Sequence, residues 1–185
     1  MTQQYVRVLT IAGSDSGGGA GIQADLKTFA ALGCYGMSAI TALTAQNTQG
    51  VTAIHGVPPD MLAAQIDAVL NDIGAQAVKI GMLHAPDIVH TVAAAIERHH
   101  MTQVVLDPVM VSATGARLIE AEAVQALVTA LFPRASLITP NLDEAALLLG
   151  RPVQAVADMA PAAQALLALG APAVLLKGGH LKGQQ

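Results

Sequence analysis

A chain of 185 residues with 53% apolar and only 12% charged residues can bury one good core, which excludes disorder and makes a single domain the expectation. A net charge of −4 with no basic cluster argues against a nucleic-acid partner. The one cysteine, Cys34, excludes an internal disulfide and suits the cytoplasm; no membrane span is expected, because no apolar run approaches about 18 unbroken residues.

Aromatic residues make up 2% of the chain, so Ala, Leu, Val and Ile must fill the core, as suits buried parallel strands. Residues 6–12 read as a first strand and residues 22–32 as a first helix, with the small-residue run Gly13-Ser14-Asp15-Ser16-Gly17-Gly18-Gly19-Ala20-Gly21 between them. Residues 37–44 and 51–57 read as strands, and residues 61–70 as a helix with Pro59 near its first turn. Ala77–Ile80 is a short strand. Residues 87–99 form a helix with Ile88, Val89, Val92, Ala95 and Ile96 on one face. Val104–Leu106 reads as a strand, 120–131 as a helix, Leu137–Ile138 as a strand, 141–149 and 159–169 as helices, and 173–176 as the last strand. This alternation predicts an α/β fold, a parallel sheet covered by helices on both faces.

In open α/β sheets ligands bind beyond the carboxyl ends of the strands. Those ends carry Gly13-Ser14-Asp15, Gln46-Asn47, Gly81-Met82, Asp107-Pro108-Val109-Met110, Thr139-Pro140-Asn141 and Lys177-Gly178-Gly179-His180. Their convergence on one rim points to a small-molecule site. The glycine run lets a ligand approach bare backbone, and the N–H groups opening the helix favour polar or anionic ligand groups. A P-loop is excluded, since no Gly-Lys-Ser/Thr occurs. Gly19-Ala20-Gly21-Ile22-Gln23-Ala24 fits a loose dinucleotide fingerprint. No acid lies between Asp25 and Asp60 to take the ribose, which counts against a nicotinamide-dependent oxidoreductase.

Several residues carry two readings. Asp25 is either a first-turn carboxylate complementing the helix dipole or an inward carboxylate whose donor a ligand supplies. Gln46 is a loop amide bonded to nearby backbone, or the reader of a planar heterocycle with an amine beside a ring nitrogen. Asn141 and Glu144 form a capping box, hold water around a phosphate-bound Mg²⁺, or do both. Asp107 is a turn residue or a carboxylate near the same metal. Lys177-Gly178-Gly179 ends a strand, or sets an ammonium and open backbone beside nucleotide phosphates. The histidines are scattered without zinc spacing, and Cys34 reads as a residue of a buried turn rather than a nucleophile.

Taken together, Leu9 to Asp15, Gly18 to Lys27, Ala45-Gln46-Asn47-Thr48, Lys79 to Leu83, Asp107 to Met110, Thr139 to Leu142 and Lys177 to His180 resemble the hydroxymethylpyrimidine/phosphomethylpyrimidine kinases. These are the thiamine-pathway branch of the ribokinase superfamily, and the resemblance covers essentially the whole chain. It implies a three-layer α/β/α domain that uses ATP to phosphorylate 4-amino-5-hydroxymethyl-2-methylpyrimidine and then its monophosphate. It implies a pyrimidine pocket of Gly13, Asp25, Gln46, Met82 and Val109, with Lys177, Gly179 and Asn141 toward ATP, and Asp107 and Glu144 toward Mg²⁺. In that family the next motif is a glycine-rich turn with the catalytic cysteine. It falls beyond residue 185, so no catalytic residue is expected within residues 1–185, read as one incomplete domain that binds pyrimidine weakly without turnover. Pyridoxal or pyridoxine kinase and a non-catalytic pyrimidine-binding protein are the alternatives. A cytoplasmic homodimer, with neither membrane nor nucleic-acid partner, completes the expectation.

Overall fold

The computed structural model describes residues 5–110 and 119–179. Its elements follow the predicted alternation: β1 (Arg7–Asp15), α1 (Gly21–Ala31), β2 (Tyr35–Asn47), β3 (Gly50–Gly56), α2 (Pro59–Asp72), β4 (Ala77–Ile80), α3 (Pro86–Arg98) and β5 (Val104–Leu106). After them come α4 (Ala121–Ala126), β6 (Leu137–Ile138), α5 (Leu142–Leu149) and α6 (Val156–Leu167). The strands hydrogen-bond in the order β3-β2-β1-β4-β5-β6. Every neighbouring pair is parallel except the β2–β3 hairpin.

Strand alternation sorts the side chains of the sheet. Leu9 and Ile11 of β1, Val78 and Ile80 of β4, and Val104 and Leu106 of β5 join a buried cluster with Leu62 and Ile66 of α2 and Ile88, Val89 and Val92 of α3. The opposite face receives α1, whose Leu26 and Phe29 lie over Gly36 of β2. Helices therefore cover both faces. The chain leaves β1 toward β2 on one side and returns to β4 on the other, so the strand order reverses between β1 and β4. That reversal opens a crevice beyond their carboxyl ends.

Three elements depart from the sequence reading. β1 does not stop at residue 12. After a register shift at Gly13 it continues, pairing Ser14 with Leu43 and Asp15 with Thr44, so part of the glycine run is still sheet. The helix read over 120–131 is α-helical only through Ala126. It then widens to an i→i+5 turn at Leu127–Leu131 and tightens at Phe132–Arg134. The widening keeps Leu127, Leu131 and Phe132 all against the core, each at most 2% exposed. The last strand, 173–176, is reduced to isolated parallel bridges, Val174 with Ile138 and Lys177 with Asn141. Pro140 lies between the two bridges and has no N–H for a continuous ladder.

Phe132 is the largest fully buried side chain. Phe132→Ala is expected to cost about 3–5 kcal/mol in denaturant unfolding. A loss near that of an exposed position would show that the widened turn does not anchor the core.

Candidate functional site

The glycine loop is organised by the chain's own carboxylate. Asp15 is only 6% exposed. Its Oδ1 accepts the N–H of Gly17 at 2.8 Å, and its Oδ2 those of Gly19 at 2.9 Å and Ala20 at 2.8 Å. Gln23 Oε1 accepts the Asp15 N–H at 2.8 Å, and Gln23 Nε2 donates to Ser14 Oγ at 2.7 Å. Gly21, at φ +56°, brings α1 against β1 so closely that a Cβ would stand 2.2 Å from the Gly13 carbonyl oxygen. Asp15 thus fills the nest that the Gly17, Gly19 and Ala20 amides form ahead of α1.

Beyond this loop, at the β1/β4 reversal, lies a cavity of about 320 Å³. All the residues expected around a pyrimidine line it: Gly13, Asp25, Gln46, Met82 and Val109. Gln46 is not in a loop but near the end of β2, opposite Val51 at a register shift. Its backbone is clamped by Ser16, whose Oγ accepts from the Gln46 N–H at 2.8 Å and donates to the Gln46 carbonyl at 2.7 Å. Thr44 Oγ1 donates to Gln46 Oε1 at 3.1 Å, which orients the amide. Met82 is held from behind by buried Thr41, whose Oγ1 donates to the Met82 carbonyl at 2.8 Å. Val109 is presented by a tight turn in which its N–H reaches the Asp107 carbonyl at 2.8 Å.

Asp25 lies past the first turn of α1, which holds no acid, so the helix-dipole reading fails. Its carboxylate turns inward. Oδ2 accepts from Thr10 Oγ1 at 2.6 Å and from Lys79 Nζ at 3.0 Å. The donor that sequence reasoning looked for is thus supplied by the protein. Lys79 was missed as a functional residue, although a lysine between apolar neighbours in a short buried strand signals a paired charge. Asp15 was missed too; an acid just before a glycine run signals a side chain that folds back onto its own backbone.

A second group sits at the ends of β5 and β6. Lys177 Nζ pairs with Asp107 Oδ1 at 2.7 Å, and Thr139 Oγ1 donates to the same oxygen at 3.1 Å. Asn141 caps α5. Its Oδ1 accepts the Glu144 N–H at 2.9 Å, and Glu144 Oε2 accepts the Asn141 N–H at 2.8 Å. The capping-box reading is therefore correct, and Lys177 bridges beside it. Of this group only Asp107 also lines the cavity; Asn141, Glu144, Lys177 and Gly179 do not. His180 lies outside the described residues. Glu144 is 2% exposed. Burial pushes its carboxyl above the ordinary value, and the nearby Asp107 charge adds to the rise against the opposing Asn141 N–H. No cluster of three or more His, Cys, Asp or Glu occurs among the described residues. Asp107 and Glu144 are hard oxygen donors of the kind Mg²⁺ takes, and each already has a partner, Asp107 in Lys177 and Thr139, Glu144 in the Asn141 N–H. Cys34 sits in the turn after α1, which is not buried as expected: the thiol is half-buried between exposed Leu32 and Tyr35.

Among known proteins, the family model described as phosphomethylpyrimidine kinase matches residues 15–185. A hydroxymethylpyrimidine/phosphomethylpyrimidine kinase of Salmonella typhimurium is 52% identical over 183 residues, covering 98% of this chain and 69% of that protein. The crystal structure of phosphomethylpyrimidine kinase from Clostridium difficile 630 superposes with a TM-score of 0.89 at 48% identity, over 97% of this chain and 78% of that one. The ADP complex of Bacillus subtilis pyridoxal kinase superposes with a TM-score of 0.86 at 41% identity, over 97% of this chain and 68% of that one. The chain spans about two thirds of the length of the curated relatives it matches.

Removing the nest's anion is expected to do two things. Asp15→Ala should cost about 1–3 kcal/mol, as three backbone donors of an exposed loop lose the buried carboxylate that orders them. Added sulfate should then raise the melting temperature of the variant more than that of the wild type, because a free oxyanion can enter the emptied nest. An equal rise in both proteins would count against the nest.

Glu144 gives a pH signature. A raised carboxyl pKa means that the folded protein holds the proton longer than the unfolded one. Its contribution to stability therefore falls as pH rises from the ordinary 4.5 through the folded value. The melting temperature of Glu144→Gln minus that of wild type should increase over that window. A flat difference would show that Glu144 ionises freely.

Proposed function

This chain belongs to the phosphomethylpyrimidine kinase family, and we propose that it forms the pyrimidine-binding and phosphate-facing part of a kinase acting on 4-amino-5-hydroxymethyl-2-methylpyrimidine and its monophosphate for thiamine biosynthesis. The observation that carries the proposal is the cavity at the β1/β4 reversal, lined by Gly13, Asp25, Gln46, Met82 and Val109 with Asp107 among them. An amide held at the end of β2 can read the amino edge of the ring. Met82 and Val109 supply apolar walls. The hydroxymethyl oxygen then attacks the γ-phosphorus of ATP, giving up its proton to a base or to solvent, and a new O–P bond forms as the bond to the β-phosphate oxygen breaks and ADP leaves. This chemistry is mostly positioning and charge neutralisation. Asn141, Lys177 and Gly179 face the nucleotide in this reading, with the Lys177 ammonium toward its phosphates. Asp107 and Glu144 would hold Mg²⁺, which neutralises phosphate charge when bound.

The finer parts of the proposal follow the family. A homodimer is supported by the outer hairpin of the sheet, where Leu43 of β2 and Ile54 of the edge strand β3 are exposed and no Asp, Glu, Lys or Arg lies between Lys27 and Asp60. Cytoplasmic placement is supported by the free thiol of Cys34. Among the described residues no helix is long and apolar enough to cross a membrane.

The test is ADP release by the natural full-length protein. Adding the pyrimidine alcohol should elicit it, and pyridoxine should elicit far less. Gln46→Leu should raise KM on the order of tenfold or more, because the ring's polar edge loses its partner. Full-length protein that releases ADP with pyridoxine alone would transfer the reading to a pyridoxal-type kinase.

A further inference from the structure

We propose that Lys79 is a positioning residue for the substrate: its ammonium holds one oxygen of Asp25 so that the other stands toward the cavity as a fixed acceptor. The proposal rests on the reading that the cavity takes the pyrimidine alcohol. Lys79 lies between Val78 and Ile80, both buried, on the face of β4 that α1 covers. Its register partner across the ladder is Thr10 of β1. A charge at such a position must be paired. Lys79 and Thr10, side by side on adjacent strands, both donate to the same oxygen, Asp25 Oδ2. Two donors from two strands fix the carboxylate's rotation about its last bond. Among the described residues no donor reaches Asp25 Oδ1. Asp25 and Lys79 both line the cavity, and the Asp25 side chain keeps 15% exposure.

Room for the ammonium is built into the backbone. A Cβ on residue 81 would stand 3.0 Å from Lys79 Nζ and 2.9 Å from the Ala12 Cβ. Gly81 therefore keeps clear the space through which Lys79 reaches Asp25. The result is an acceptor aimed by a cation rather than left as an open charge. It offers one hydrogen-bond site to an N–H or O–H of a neutral ring. The Lys79–Asp25 pair also leaves little net charge, so ligands bearing a carboxylate or ammonium at that point gain little.

The experiment uses the natural full-length protein and the pyrimidine alcohol as probe, with Kd from calorimetry and KM and kcat from ADP release. Lys79→Met should raise Kd and KM on the order of tenfold, with a smaller change in kcat. Lys79→Arg, which restores a donor, should recover part of the loss. In an Asp25→Asn background Lys79→Met should add little, because the lysine acts through that carboxylate. Gly81→Ala keeps every polar group but crowds both Nζ and the Ala12 Cβ; it should give a similar KM rise, and because its methyl also lines the cavity, Lys79→Gln, a neutral donor that should bind the alcohol more weakly than wild type, decides the matter if Lys79→Met fails to fold. Wild-type affinity in both Lys79→Met and Gly81→Ala, or losses that simply add in the Asp25→Asn background, overturns the proposal. Absence of binding by the wild type instead overturns the pyrimidine reading, and the proposal with it.

Discussion

The rest of the site depends on the contact between the Asp15 carboxylate and the backbone N–H groups of Gly17, Gly19 and Ala20. A glycine-rich loop has many accessible conformations and loses much entropy when ordered. A buried anion that accepts several N–H donors selects one of them, and each charged hydrogen bond is stronger than a neutral one. Once the loop is set, α1 starts at Gly21 against β1, and its second turn presents Asp25 over Thr10 and Lys79. Without Asp15 the same amides would point at whatever anion solvent provides, and the start of α1 would lose its reference to the sheet.

The site as a whole answers its charges internally. Asp15 is met by backbone, Asp25 by Lys79 and Thr10, and Asp107 by Lys177 and Thr139. Glu144 is met by the amide it caps, with burial favouring its proton. The pairs differ in exposure. The side chains of Lys79 and Asp25 are 24% and 15% exposed, those of Lys177 and Asp107 41% and 22%. Solvent screens the second pair more, and exchanging its partner costs less desolvation. The inner pair suits fixed geometry toward a neutral ring. The outer pair suits a cation that can leave a carboxylate for a phosphate.

The alternation of strands and helices, and the strand ends that bear the site, were legible in the sequence because parallel strands buried on both faces read as short apolar runs. The capping box at Asn141 and Glu144 was legible because its spacing is fixed by one helical turn. What was not legible depended on contacts distant in sequence. The partner of Asp25 is 54 positions away, and no local pattern joins Lys79 to it. β1 was cut short at residue 12 because glycines read as loop, whereas the pairing of Ser14 and Asp15 with β2 is a tertiary fact. The segment 173–176 has strand composition but adjoins a β6 of two residues followed by Pro140, so its neighbour cannot sustain a ladder.

Asp107 explains why two groups of residues behave as one site. It stands just past β5, the strand between β4, which carries Lys79, and β6, which leads to Asn141. Asp107 lines the cavity and its carboxylate also holds Lys177, so the cavity and the Lys177 group share a wall. In the kinase reading, a hydroxymethyl group on a ring held by Gln46 would have to reach that wall to meet a phosphate. The short turn through Pro108 fixes the distance between the shared carboxylate and Val109, an apolar wall of the cavity. The backbone of β5 and that turn thus set how far the ring stands from the phosphate-facing side, and a shift of β5 against β4 would move both sides together.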